Sequence, residues 1–160
     1  MTIRKFKETD ALFCFQIRCD AFLNKFIDEI GGKAVRACIE AYMPQDYIGM
    51  SEEMEFFVVE ENEKRVGFVT LKKNNESTAE IPLIYFDLSE LNKGYGSKTI
   101  NYIEDWIKEN WKDIKTLYLD TVIPKYNGGF YSKMGFKKAG KSVCSFPGMD
   151  LPAVRFEKNI

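Results

Sequence analysis

The hydrophobic period of this chain changes along its length, and that change limits the possible folds more than any other feature. Residues 2–6 read as a short strand, after which "TDALFCFQIRCDAFLNKF" takes helical spacing with Thr9 or Asp10 placed to cap it. Its apolar residues form two stripes, Cys14, Ile17 and Ala21 on one and Phe15, Cys19, Phe22 and Phe26 on the other. A second helix is expected over Lys33–Tyr42, ending before Pro44, and residues 44–54 read as a loop. The pattern then becomes strand-like. "EFFVVEEN" and "RVGFVTLKK" flank a charged hairpin turn, and a polar turn leads into "AEIPLIYFDL". Helical spacing returns in "SKTINYIEDWIKENW", with Ile100, Ile103 and Ile107 on one face. "IKTLYLDTV" is again strand-like, and "PKYNGGFYSKMGF" reads as a short helix with Pro124 near its start and Gly135 past its end. "FKKAGKSV" and "PAVRFEKNI" supply two last strands. The order β-α-α-β-β-β-α-β-α-β-β predicts a mixed α/β sheet with helices on both faces, without repeat or linker.

At 160 residues the chain is expected to form one domain spanning residues 1–160, large enough to bury a core unaided. Its net charge of −1 and the lack of a long Lys/Arg block argue against a nucleic-acid or anionic-membrane partner. None of the four cysteines stands in a Cys-x-x-Cys pair, so buried small hydrophobes are the expectation. Met1 leads directly into charged residues and no apolar run is long enough to span a bilayer, so a cytoplasmic protein with reduced thiols is expected. There is no histidine. Ser-His-Asp and Cys-His catalysis and His-ligated zinc are thereby excluded, and acid–base chemistry falls to Asp, Glu, Tyr, Lys, Cys or water. No metal is expected.

The loop "NKGYGSK" at 92–98 lies between a strand-like and a helix-like run. It is not a dinucleotide fingerprint, because Thr99 stands where a third glycine is needed. Nor is it a phosphate loop of the Gly-Lys-Ser/Thr kind, since the chain reads Gly96-Ser97-Lys98-Thr99. A strand, a glycine loop and a helix start still suit a phosphate or pyrophosphate, with Lys93 and Lys98 nearby. A plain turn capped by Asn92 or Ser97 is also open. Pro82, in the preceding strand, lacks an N–H and predicts a bulge there. A splay between this strand and the next would open a slot ending at the glycine loop, suited to an extended arm with a pyrophosphate.

The stretch "EIPLIYFDLSELNKGYGS" (80–97) resembles the acetyl-CoA motif of the GNAT superfamily of N-acetyltransferases. Gly94 and Gly96 match that motif's glycines and Lys93 its basic position, while Leu91 replaces a usual Gln or Arg. Phe130, Tyr131, Lys133, Gly135 and Phe136 match the family's second motif, with Pro124 and Asn127 as departures from it. The order of elements is similar to the family fold over nearly the whole chain. The resemblance implies a mostly antiparallel mixed sheet with a splayed central strand pair and helices on both faces. It also implies transfer of acetyl from acetyl-CoA to a primary amine, on a small molecule or a peptide.

By the same resemblance, Ile84 and Phe86 would meet the pantetheine arm. Asn92, Lys93, Gly94, Tyr95, Gly96 and Ser97 would cradle the pyrophosphate, and Asn127 would contact the cofactor. Tyr131 would protonate the departing thiolate; a packing tyrosine is the alternative. Glu80 would act as general base; a solvated glutamate at a strand start is the alternative, with Asp87 and Asp120 as weaker candidates. Gly128 and Gly129, costly inside a helix, would let the backbone approach a cofactor; a frayed helix is the alternative. Acceptor specificity would lie with the first two helices and with "CSFPGMD" (144–150), although both stripes of the first helix are expected in the core. A homodimer is open. The departures at Leu91, Pro124 and Asn127 motivate a second reading, a non-catalytic acyl-CoA-binding module of the same fold.

Overall fold

Strands and helices follow the changes of period. The computed structural model describes residues 1–160. It runs through β1 (Thr2–Lys5), α1 (Ala11–Ala21), α2 (Ile27–Ile30), α3 (Gly32–Ala41), α4 (Pro44–Glu53), β2 (Glu55–Glu61) and β3 (Lys64–Lys73). There follow β4 (Thr78–Glu80), β5 (Ile84–Phe86), α5 (Tyr95–Asn110), β6 (Thr116–Thr121), α6 (Pro124–Lys133), β7 (Lys137–Phe146) and β8 (Met149–Asn159). Between α1 and α2 the helix continues through a widened π turn, Phe22–Phe26.

The strands form one eight-stranded sheet in the order β1-β2-β3-β4-β6-β8-β7, with β5 paired to β3. Every pairing is antiparallel except that of β4 with β6. Successive residues of a strand point to opposite faces, and both faces are covered. Phe57 and Val69 join Ile100, Ile103 and Ile107 of α5 and Tyr131 of α6 on one side. Their neighbours Phe56 and Phe68 join Cys14 and Ile17 of α1 and Tyr47 of α4 on the other. That two-sided burial explains the unbroken apolar run Phe56–Val59. The three isoleucines of α5 are fully buried, and each contributes about 1.5–3 kcal/mol by leaving water.

Two local expectations change, and the irregularity expected at Pro82 is present. Residues 44–53 form helix α4 rather than a loop. Pro44 occupies its first turn, the Asp46 carboxylate accepts the Met43 N–H at 2.7 Å, and Tyr47 is anchored in the core. Asp10 does not cap α1. Its carboxylate instead accepts from Arg4, Arg65 and the Lys7 N–H. The run 78–86 is one strand broken in the middle, at Ile81, Pro82 and Leu83. No helix is long and apolar enough to cross a membrane.

Candidate functional site

The break at Pro82 divides the sheet. Before it, β4 pairs with β6 from Thr78↔Thr116 to Glu80↔Tyr118, and the Ile81 N–H still reaches the Tyr118 carbonyl at 2.9 Å. Beyond it β5 pairs with β3 alone, while β6 continues to Thr121 beside β8. Thr70 of β3 holds the break together. Its buried hydroxyl accepts the Leu83 N–H at 3.0 Å, and its own N–H donates to the Leu83 carbonyl at 2.9 Å. The Asp87 N–H donates to the Val66 carbonyl at 2.9 Å. With Leu83 and Asp87 bonded to β3, antiparallel alternation turns the N–H and C=O of Ile84 and Phe86 away from β3. On that side β5 has no partner strand. Ile84 and Phe86 therefore present unpartnered backbone donors and acceptors, and Ile84 borders a slot of about 320 Å³ whose other side is residues 119–121 of β6.

The start of α5 lies beside Phe86, the last residue of β5. Gly94 precedes its first turn in a left-handed conformation (φ +83°) that a side chain would strain, and Asn92 is also left-handed at φ +64°. The first helical bond runs from Lys98 N–H to the Gly94 carbonyl, so the N–H groups of Tyr95, Gly96 and Ser97 precede the helical ladder. No side chain caps them; neither Asn92 nor Ser97 does so. Gly96 serves packing. A Cβ there would come 3.0 Å from the Phe130 ring of α6 and 3.7 Å from that of Phe86, so the α5 start sits tightly against both motifs. Lys93 and Lys64 share Glu90, each at 2.8 Å, leaving one net positive charge beside the loop. Sequence reasoning missed Lys64, which the β2–β3 hairpin brings in.

Glu80, Ile84, Asn127 and Tyr131 all line the slot. Tyr131 is 6% exposed among Phe130, Phe136 and Phe156, and burial pushes its phenol pKa well up. The Glu80 carboxylate accepts from the Tyr118 hydroxyl at 3.0 Å and the Asn74 amide at 2.9 Å. Burial first, then Glu80, pushes the Tyr118 phenol up to about 12. Asn127 accepts the Thr121 hydroxyl at 2.9 Å, tying α6 to the end of β6. Asp120 also lines the slot, but Arg155 holds both its oxygens at 2.9 and 2.8 Å and Ser142 adds a third bond at 2.9 Å. Asp87 accepts from Ser89 within its own turn. Gly128 gives room to Phe156, whose ring would lie 3.2 Å from a Cβ there, while a Cβ at Gly129 would meet nothing within 4 Å. Both glycines sit in continuous helix.

The remaining walls come from Arg18, Phe22, Phe26 and Tyr42 on one side and from Val143, Cys144 and Phe146 of the last hairpin. Of the two stripes expected in the core, the first is there, and in the second Phe22 is buried as well, although Phe22 and Phe26 also border the slot. Glu29 of α2 accepts the Lys125 and Tyr126 N–H groups at 3.0 and 3.2 Å, closing α2 onto the start of α6. The available signal for Arg18 was a lone charge between Ile17 and Cys19 on an apolar helix. Glu29 gave none, because its partners are remote in sequence. A depression of about 440 Å³ near Glu53 and Trp111 is bordered by the Lys5–Glu55 ion pair and shares only Met54 with this slot.

The family model described as the acetyltransferase (GNAT) family matches residues 19–136, which include the split strand, the glycine loop and Tyr131. The chain belongs to the GNAT acetyltransferase family. Solved structures agree with this GNAT fold. A GCN5-related N-acetyltransferase from Rhodopseudomonas palustris is 15% identical with a TM-score of 0.84, over 99% of this chain and 95% of that one. The PaiA N-acetyltransferase of Thermoplasma acidophilum, solved in complex with coenzyme A, is 20% identical with a TM-score of 0.81, over 99% and 98%. An N-acetyltransferase from Staphylococcus aureus Mu50 is 22% identical with a TM-score of 0.73, over 99% and 97%. Among curated proteins none matches the GNAT chain in sequence.

Proposed function

We propose that the protein transfers the acetyl group of acetyl-CoA directly to a primary amine. One observation carries the reading: the unpartnered backbone groups of Ile84 and Phe86 run from the slot toward an uncapped helix start. An extended amide-bearing arm matches the first feature, and a pyrophosphate matches the second. The coenzyme A complex of the PaiA relative supports the same choice of ligand. When bound, acetyl-CoA supplies an activated acetyl thioester.

The chain's own groups then have distinct tasks. The β5 backbone orients the arm as a strand would, with Ile84 and Phe86 as its bonding positions. The first-turn N–H groups of Tyr95, Gly96 and Ser97, with Lys93 and Lys64 nearby, offset the pyrophosphate charge. Asn92 and Gly94 shape this cradle, and Asn127 borders the slot beside the arm. Tyr131 is protonated at neutral pH, as any phenol is and as its burial reinforces, and donates its proton to the departing sulfur. Glu80 takes the amine's proton directly or through a water, steadied by Tyr118 and Asn74. Asp120 is left out of this step because Arg155 occupies it.

The test is release of the CoA thiol from acetyl-CoA across a panel of primary amines. The expected result is acceptor-dependent release with one acetyl amide formed per thiol. Binding of acetyl-CoA without release for any amine would replace this reading with that of a non-catalytic acyl-CoA-binding module.

A further inference from the structure

The chain has five arginines, and four of them meet a carboxylate: Arg4 and Arg65 at Asp10, Arg36 at Glu40 and Arg155 at Asp120. Arg18 forms no ion pair, although it is the most buried of the five at 1% exposure. Its Nη1 donates to the Cys38 carbonyl at 2.8 Å, in the last turn of α3, and its Nε has no partner. The guanidinium lies 4.8 Å from the Phe22 and Tyr42 rings and 6.0 Å from that of Tyr85. A guanidinium cannot shed its charge by deprotonation. One carbonyl, three ring faces and the neighbouring Tyr47 and Tyr85 hydroxyls offset only part of the loss of water around a buried cation. A second polar atom close by, the Tyr47 hydroxyl, is likewise buried without a partner.

This unpaired cation lines the same slot as Glu80 and Tyr131. Phe22, Phe26 and Phe146 form apolar walls around it. We propose that the acceptor is a small amino acid with an apolar side chain, whose carboxylate pairs with Arg18 while its amine faces the thioester. The proposal rests on the acetyl-transfer reading and adds the class of acceptor to it. The guanidinium offers a planar fork that matches a carboxylate, and enclosure by rings strengthens the pairing. The ring walls favour apolar side chains over polyamines, whose second charge would face Arg18.

Matched pairs test it: L-phenylalanine against L-phenylalaninamide and L-leucine against L-leucinamide, with spermidine as a polycation, all followed by CoA thiol release. The amides have the less basic amines and are the better nucleophiles at neutral pH, so preference for the acids runs against intrinsic reactivity. Wild-type protein should show kcat/KM at least about tenfold higher for each acid than for its amide. In Arg18→Gln, which keeps a donor for the Cys38 carbonyl, that ratio should fall to near one, chiefly through KM for the acids. Acetyl-CoA affinity, measured by calorimetry, should stay unchanged.

Equal or better use of the amides or spermidine by wild type would overturn the proposal, and so would an unchanged ratio in Arg18→Gln. Should Arg18→Gln not fold, the wild-type ratios decide. If no compound is turned over, each is titrated calorimetrically into CoA-saturated protein. Binding of the acids but not the amides then supports the proposal, and no binding of the acids overturns it. Failure to bind acetyl-CoA at all is read separately, and it removes the acetyl-transfer reading and this proposal together.

Discussion

Tyr131 is held in place by packing among Phe130, Phe136 and Phe156. The aromatic neighbours that enclose it push its pKa further above that of a free phenol, so it stays protonated at neutral pH, the state the proposed acid role requires. Tyr131→Phe should therefore lower kcat by about 10²-fold or more while leaving acetyl-CoA affinity by calorimetry intact. Asp120 makes the opposite case, a carboxylate near the chemistry but committed to structure. Burial alone would raise its pKa; the bonds from Arg155 and Ser142 outweigh this and hold it below the usual carboxylate value. A depressed carboxylate stabilises the fold above its unfolded pKa and loses that contribution as pH falls through its folded one. Thermal melts of wild type and Asp120→Asn should thus differ most at neutral pH and converge in acid below the usual carboxylate range.

The broken strand is the element on which the site depends. Thr70 replaces the ladder bonds lost at the break, and Pro82 removes one N–H that would otherwise need a partner. Thr70→Val keeps the shape but leaves the Leu83 N–H unbonded, a cost of about 1–3 kcal/mol. Denaturant melts should show that loss, and acetyl-CoA should bind more weakly because β5 is no longer held. Pro82 and the glycine pair were legible in the sequence because proline and glycine act through the local backbone. Thr70 was not, because its role appears only once β3 and β5 are in register. The same holds for Lys64, which reaches Glu90 across the loop. Helix α4 was misread because Gly49 and Ser51 weaken its propensity, and burial of Tyr47 at 0% exposure overrides them.

Across the whole molecule, the sheet divides into two arms that share β3, and the slot is the gap between them. One helix layer borders the slot through Asn127 and Tyr131 of α6 and sets the start of α5 beside Phe86; the other, α1 to α4, closes the slot with rings and a lone guanidinium. The element order and the two-sided core followed from hydrophobic period, which samples each residue's surroundings directly. The acceptor side did not, because it is assembled from α1, the π turn, α3 and the last hairpin, segments far apart in the chain. We propose that acetyl-CoA binds in the gap between β5 and β6, with its pyrophosphate at Gly94. Calorimetric titration of the protein with acetyl-CoA tests this most directly. Saturable one-to-one binding that ATP and NAD do not displace is the predicted result; no binding, or displacement by either nucleotide, would contradict it.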